Sequence, residues 1–116
     1  MYQVKKPWGA ELVWAQTDKY IAKFLTIEPG EKLSRQYHKV KDETIYVLSG
    51  ELAVEIGKGD DIENFLMMPK TAFRVEPMMV HRFSCNGSQK CILVEVSTPE
   101  MDDIVRLEDA YGRVEE

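Results

Sequence analysis

Short runs of β-type residues, separated by turn-forming residues, recur along most of the 116-residue chain. Val, Ile, Leu, Phe and Tyr dominate the runs, and pairs such as Pro-Gly, Ser-Gly and Asn-Gly lie between them. Strands are predicted over residues 11–14, 20–28, 44–48, 51–56, 65–68, 72–76, 80–85 and 91–97. Many short strands at regular spacing are typical of an all-β sandwich or barrel.

One stretch departs from this pattern. Residues 102–110 are predicted to form a short helix, because the paired aspartates Asp102 and Asp103 suit a helix N-terminus. The sequence shows no linker and no internal repeat, so we expect a single domain over residues 1–116. Within it, residues 1–99 are predicted to form the barrel and residues 100–116 an acidic helical latch.

The formal net charge of −5 lies entirely in residues 100–116. Residues 1–99 hold 13 acidic and 13 basic side chains, so this part of the chain is neutral. A neutral body has no long basic face for a row of phosphates, which makes nucleic-acid binding unlikely. The N-terminus lacks a signal-peptide pattern, and no apolar run approaches the ~20 residues of a membrane span. We therefore expect a soluble, cytoplasmic protein that does not bind membranes.

The clearest metal-binding chemistry lies in one polar segment and one later histidine. Gln36 and His38 are two residues apart, so in an extended chain both side chains leave the same face, which Ser34 shares. Glu43 follows at the start of the next predicted strand, and His81 lies in a later one. Two imidazoles, a carboxylate and an amide oxygen form a mixed N/O set that suits a divalent first-row metal.

The same polar segment resembles the first motif of the cupin superfamily. That motif has a glycine, five residues, a ligand, one residue, a histidine, four residues, a glutamate, six residues and a glycine. It is matched without a gap by Gly30, Gln36, His38, Glu43 and Gly50. Gln36 stands where most cupins have histidine, and His81 matches the histidine of the second motif. The resemblance implies a double-stranded β-helix, or jelly-roll barrel, and a divalent metal ion (Zn, Mn, Fe or Ni) bound by Gln36, His38, Glu43 and His81.

Among cupins, the chain is most similar to the C-terminal isomerase domain of type II mannose-6-phosphate isomerases and to related small stand-alone cupins. This resemblance is carried by Lys6-Pro7-Trp8-Gly9, Leu33-Ser34, Gln36-Tyr37-His38, His81-Arg82, Asp102-Asp103-Ile104-Val105-Arg106, Glu108-Asp109 and Tyr111-Gly112-Arg113. It implies a metal-dependent aldose–ketose isomerase that acts on a sugar phosphate. Where those isomerases have a histidine-rich stretch, this chain has Lys39-Val40-Lys41. No glycine-rich nucleotide loop occurs, so nucleotidyl transfer is not expected.

The resemblance also implies roles for individual side chains. Glu43, if it does not bind the metal, or Lys23 would move the proton between carbons 1 and 2 of the sugar. Ser34 and Lys23 would contact the substrate. Arg106 and Arg113 would either form ion pairs within a helical lid or latch over residues 102–113 or bind the substrate phosphate. A solvated surface lysine is the plain alternative for Lys23. For Gln36, the alternative to a metal ligand is a hydrogen-bonding residue of the barrel.

Two other functions stay open at this stage. An N/O metal site with free coordination positions also suits iron(II) and dioxygen, so the chain could be a metal-dependent oxygenase. Alternatively, it is a non-catalytic module that binds a sugar or sugar phosphate, in keeping with the missing imidazoles. By analogy with other cupins, we expect a homodimer in which strand edges are covered.

Overall fold

The computed structural model describes residues 1–114 and contains eleven strands and no helix in that range. The strands are β1 (Tyr2–Lys6), β2 (Gly9–Gln16), β3 (Ile21–Ile27), β4 (Arg35–Tyr37), β5 (Glu43–Ser49), β6 (Glu51–Ile56), β7 (Glu63–Met67), β8 (Ala72–Val75), β9 (His81–Asn86), β10 (Cys91–Ser97) and β11 (Val105–Glu108). The all-β prediction is confirmed. Among the described residues, no helix has the length and apolar character needed to cross a membrane.

The strands form two antiparallel sheets. One has six strands in the order β1-β2-β3-β10-β5-β8, and the other has five in the order β11-β4-β9-β6-β7. Buried and exposed side chains alternate along the central strands, as the period of a β-strand requires. In β5, for example, Glu43, Ile45 and Val47 are buried, whereas Tyr46 and Leu48 are exposed. The buried faces of the two sheets enclose the core.

The interior is apolar at one end and polar at the other, because the strand register gathers like residues together. Leu93 of β10 lies opposite Leu25 of β3 and Val47 of β5. Two residues further along β10, Glu95 lies opposite Lys23. The apolar cluster contains Trp8, Leu25, Ile27, Leu33, Ile45, Val47, Leu52, Val54, Met67, Val75, Phe83, Cys85, Cys91 and Leu93. Charged side chains at inward positions therefore share one end of the barrel.

The predicted helix over residues 102–110 is wrong. In its place β11 pairs antiparallel with β4, with Arg106 opposite Gln36. Apolar and charged residues alternate along β11, which suits a strand, and its pairing supplies hydrogen bonds to an otherwise uncovered sheet edge. These tertiary contacts outweigh the local preference of the two aspartates for a helix start. The last two residues of the predicted 100–116 latch lie outside the described part of the chain.

Candidate metal centre

His38, Glu43 and His81 come together at the polar end of the barrel. Each offers one potential ligand atom, and these atoms lie within 4.8 Å of one another. Glu43 Oε1 is 3.4 Å from His38 Nε2 and 3.5 Å from His81 Nε2. Two ligand atoms bound to one ion at about 2.1 Å, at a tetrahedral angle, lie about 3.4 Å apart. The spacing of the carboxylate oxygen from both imidazoles therefore fits a shared cation.

Three neighbouring segments hold these side chains in place. Glu43 is the first residue of β5, and His81 is the first residue of β9. His38 directly follows β4, which pairs with β9 so that Gln36 lies opposite His81. Because the ligands stand at strand ends of both sheets, the barrel itself fixes their separation.

Both imidazole rings are oriented by backbone carbonyl groups. His38 Nδ1 is 2.6 Å from the carbonyl oxygen of Asp103, and His81 Nδ1 is 2.9 Å from that of Met79. A carbonyl oxygen only accepts hydrogen bonds, so Nδ1 of each ring must donate its proton. In the neutral imidazole, Nε2 then carries the lone pair, which is the form that binds a metal.

The two Nε2 atoms are buried and have no hydrogen-bond partner within residues 1–114. His38 and Glu43 are each 3% exposed, and His81 is 1% exposed. Buried polar atoms normally have a partner, so two unpartnered nitrogen lone pairs beside one carboxylate oxygen require an explanation. A divalent cation would satisfy all three atoms, and the donor set therefore fits such an ion.

A series of ion pairs between alternating acidic and basic side chains begins at Glu43. Lys41 Nζ is 3.1 Å from Glu43 Oε2 and 3.4 Å from Glu95 Oε2. Lys23 Nζ is 3.8 Å from the same Glu95 oxygen and 3.0 Å from Glu11 Oε1. Sequence reasoning missed Lys41, Glu95 and Glu11 as site residues. The signal for Glu95 was its inward position in β10, where its neighbours of the same parity are buried.

Burial and the charges of their neighbours shift the pKa values of these side chains. Burial works to raise the pKa of the Glu43 carboxyl, whereas the Lys41 ammonium beside its Oε2 works to lower it. For Glu95, burial and then the charge of Glu43 raise the pKa to about 7. Burial also opposes the charge of Lys41, yet the carboxylates of Glu95 and Glu43 raise its pKa above the usual value.

A cavity of about 190 Å³ opens beside His38 and Glu43, whereas His81 lies behind them and does not line it. The predicted site residues that line it are Lys23, Gln36, His38, Glu43, Arg106 and Arg113. Ser34 is buried and donates a hydrogen bond from Oγ to Gln36 Oε1, at 2.6 Å. Lys23 is 7% exposed, so it is not a solvated lysine. The barrel thus gathers residues that lie far apart in the sequence around one small polar space.

The two arginines at the cavity differ in their pairing. Arg113 Nε is 2.8 Å from Asp109 Oδ2, and the backbone N–H of Arg113 donates a hydrogen bond to the same oxygen. Arg106 Nε is buried and has no hydrogen-bond partner within the described residues. The Arg106 guanidinium is therefore a cavity cation that pairs with no carboxylate of the described residues.

Solved structures with the same fold include CapF of Staphylococcus aureus, called a capsular polysaccharide assembling protein. Its TM-score is 0.82 at 16% sequence identity, covering 92% of this chain and 34% of that one. KdgF from Halomonas sp. has a TM-score of 0.72 at 20% identity, covering 84% of both chains. A Klebsiella pneumoniae protein with a double-stranded β-helix domain has a TM-score of 0.72 at 22% identity, covering 84% and 82%. The predicted double-stranded β-helix, or cupin, fold is confirmed.

The sequence comparisons agree on the family. The chain is 34% identical over 115 residues to xanthan biosynthesis protein XanB of Xanthomonas campestris pv. campestris, covering 96% of this chain and 24% of that protein. It is 32% identical over 117 residues to alginate biosynthesis protein AlgA of Pseudomonas aeruginosa, covering 98% and 24%. The chain thus spans about a quarter of the length of these relatives. The family model for the mannose-6-phosphate isomerase C-terminal domain matches residues 1–109, and the chain belongs to that family.

Proposed function

We propose that this chain is a divalent-metal-dependent isomerase that interconverts the aldose and ketose forms of a sugar phosphate, with mannose 6-phosphate as the first substrate to test. The observation that carries the proposal is the pair of buried, unpartnered histidine Nε2 atoms beside Glu43. His38 and Glu43 of this group also line a small cavity, together with both cationic and acidic side chains. Membership of the mannose-6-phosphate isomerase C-terminal family supports this substrate class.

His38, Glu43 and His81 would hold the cation. Gln36 would add a fourth ligand, because its amide oxygen accepts one hydrogen bond from Ser34 and keeps a second lone pair. A divalent cation at this position supplies Lewis-acid stabilisation of the negative charge that develops on a sugar oxygen during isomerisation.

Aldose–ketose interconversion also requires a proton to move between carbons 1 and 2. Glu43 is an unsuitable base, because its Oε1 faces the two imidazoles and its Oε2 faces Lys41. Lys23 is the other candidate from the sequence, and its ammonium group lies 3.0 Å from a Glu11 carboxylate oxygen. We assign the acid–base role to this pair. Glu11 accepts the proton from one carbon and returns it to the other, while the Lys23 ammonium gives a proton to the carbonyl oxygen and recovers one from the hydroxyl that becomes the new carbonyl.

Arg106 is the residue we assign to the substrate phosphate. Lys6 and Lys23 are paired with Glu11, and Lys41 is paired with Glu43 and Glu95. Arg113 is paired with Asp109. Within residues 1–114 no such carboxylate pairs with Arg106, whose guanidinium presents a planar set of donors that matches phosphate oxygens.

We expect Arg106→Gln to raise the KM for a sugar phosphate by about 10- to 100-fold, because a hydrogen bond to a charged group contributes about 1.5–3 kcal/mol. The turnover of the unphosphorylated sugar and the affinity for metal should change little. Steady-state kinetics with mannose 6-phosphate and with mannose, alongside metal titration of the same protein, measure these three quantities.

Arg74→Gln is the matched control. Arg74 is an exposed arginine paired with Asp42 and lies outside the cavity, so the same change of charge there should leave the KM as in the parent chain. An unchanged KM in Arg106→Gln, or an equal rise in both variants, would contradict the assignment of Arg106 to the phosphate.

The overall function is tested by incubating the protein, loaded in turn with Zn²⁺, Mn²⁺, Fe²⁺ and Ni²⁺, with a panel of sugar phosphates while dissolved oxygen is recorded. We expect a ketose phosphate to form from mannose 6-phosphate without oxygen consumption. Oxygen uptake with the iron-loaded protein would identify an oxygenase instead. Ligand binding without conversion under any metal would identify a non-catalytic sugar-binding module.

Homodimer formation and a cytoplasmic location also stay predictions. A paired state is supported by the outer face of the six-stranded sheet, where Trp14, Tyr46, Leu48 and Val96 are each at least 38% exposed. Exposed apolar faces of this kind are common at contacts between subunits.

A further inference from the structure

A single residue of the C-terminal segment contacts the backbone or side chain of four consecutive residues beside the metal centre. The backbone carbonyl oxygen of Asp103 accepts a hydrogen bond from His38 Nδ1, at 2.6 Å. Its carboxylate accepts hydrogen bonds from the backbone N–H groups of Lys39 at 2.9 Å, Val40 at 2.7 Å and Lys41 at 2.8 Å. Asp103 thereby binds the whole stretch between the first histidine and the network around Glu43.

These contacts determine how His38 meets a cation. The hydrogen bond at Nδ1 fixes which ring nitrogen carries the proton and the direction in which Nε2 points. The three bonds to the carboxylate fix the backbone that leads from His38 to Lys41, whose ammonium group contacts Glu43 Oε2. One residue thus supplies both the carbonyl group that orients the imidazole and the carboxylate that holds the loop.

Two further contacts anchor the segment, and both lie beyond Asp103 in the chain. On its C-terminal side β11 pairs with β4, the strand that carries Gln36. Further on, the Tyr111 hydroxyl contacts the carboxylate of Glu31. Asp103 is therefore presented to the loop by a segment that is itself bound to the barrel.

We propose that Asp103 is a positioning residue of the metal centre, and that metal binding and docking of the C-terminal segment are coupled. This inference rests on the metal site of the proposed function but not on its reaction. The docked segment raises the affinity of the site by holding His38 and the following loop in the binding geometry. By linkage, a bound cation stabilises the docked segment to the same extent.

The test compares Asp103→Asn with Asp102→Asn in the full chain. Both changes remove one negative charge at nearly the same place, but only Asp103 binds the N–H groups of the loop. In Asp103→Asn, one oxygen remains as an acceptor, but the NH₂ group replaces the other and cannot accept a hydrogen bond from the backbone N–H that faces it. We expect the affinity for Zn²⁺ or Mn²⁺ to fall about 10-fold in Asp103→Asn and about two-fold or less in Asp102→Asn. The loss is at the lower end of the range for removal of a partner that orients a metal ligand, because the carbonyl group that contacts His38 remains.

A second measurement guards against a general loss of folding. Amide hydrogen exchange at Lys39, Val40 and Lys41 in the parent chain should slow when metal is added, and should be faster in Asp103→Asn while core amides keep their protection. Equal metal affinity in the parent chain and Asp103→Asn overturns the inference and leaves the proposed function intact. Coupled metal binding in a chain that converts no sugar phosphate supports the inference and overturns the proposed function. A parent chain that binds neither metal contradicts both.

Discussion

Replacing His81 with alanine is expected to lower the affinity for a divalent metal by more than about 100-fold and to abolish turnover of mannose 6-phosphate. The loss of affinity should exceed that for a residue that only hydrogen-bonds to a metal ligand, which is about 10- to 100-fold. His81 supplies one of two unpartnered Nε2 atoms, and the remaining candidate ligands, His38 and Glu43, do not by themselves surround an ion. The measurements are metal titration of the purified variant, followed by an assay for the ketose phosphate.

Two companion variants separate loss of a ligand from loss of folding. His81→Gln keeps a polar side chain of similar reach but lacks the imidazole, so it should show the same loss of metal affinity. Cys85→Ala truncates another inward-facing side chain of the same strand, at the apolar end, and should bind metal as the parent chain does. Unchanged turnover in His81→Ala, without bound metal, would contradict the proposed mechanism.

The second large effect concerns stability. Gly50, in the turn between β5 and β6, has φ of +84°, and a Cβ there would lie 2.4 Å from the carbonyl oxygen of Lys90 and 2.8 Å from Cα of Cys91. We expect Gly50→Ala to lower the free energy of unfolding by about 2–5 kcal/mol, from the strain of a left-handed backbone plus the forced displacement of β10. Urea denaturation followed by fluorescence of the buried Trp8 measures this change.

Gly30→Ala is the matched control for that substitution. Gly30 has a similar φ of +79°, but nothing lies within 4 Å of the position its Cβ would take. Only the backbone strain should remain, about 1–2 kcal/mol. The cupin motif contains both Gly30 and Gly50, but in the structure only Gly50 has another part of the backbone packed against it. Equal destabilisation by the two substitutions would contradict this distinction.

Most strands were predictable because their residues are buried on one face. All eight predicted runs overlap strands of the structure, although β2 extends two residues further at each end than predicted. The chain also forms β1, β4 and β11, which the sequence analysis did not predict. β4 has three residues and carries Gln36 inward, so it lacks an apolar pattern. β11 is stabilised by pairing with β4, a contact that no local pattern reveals.

The candidate site was likewise predictable only in part. His38, Glu43 and His81 could be grouped from the sequence because motif spacing and residue type point to the same chemistry. The network around them could not, since Lys41 and Glu95 are 54 residues apart in the sequence. Asp103 was noted only as part of a presumed helix start and of the family resemblance, because its hydrogen bonds depend on a loop more than 60 residues away.

Metal removal and restoration test the central claim most directly. The protein is treated with a chelator, assayed for conversion of mannose 6-phosphate to fructose 6-phosphate, and assayed again after one equivalent of divalent metal is returned. The account predicts that activity disappears with the metal and returns in proportion to the metal bound, up to one ion per chain. Full activity in the metal-free protein would contradict it, as would one bound ion per chain without any conversion.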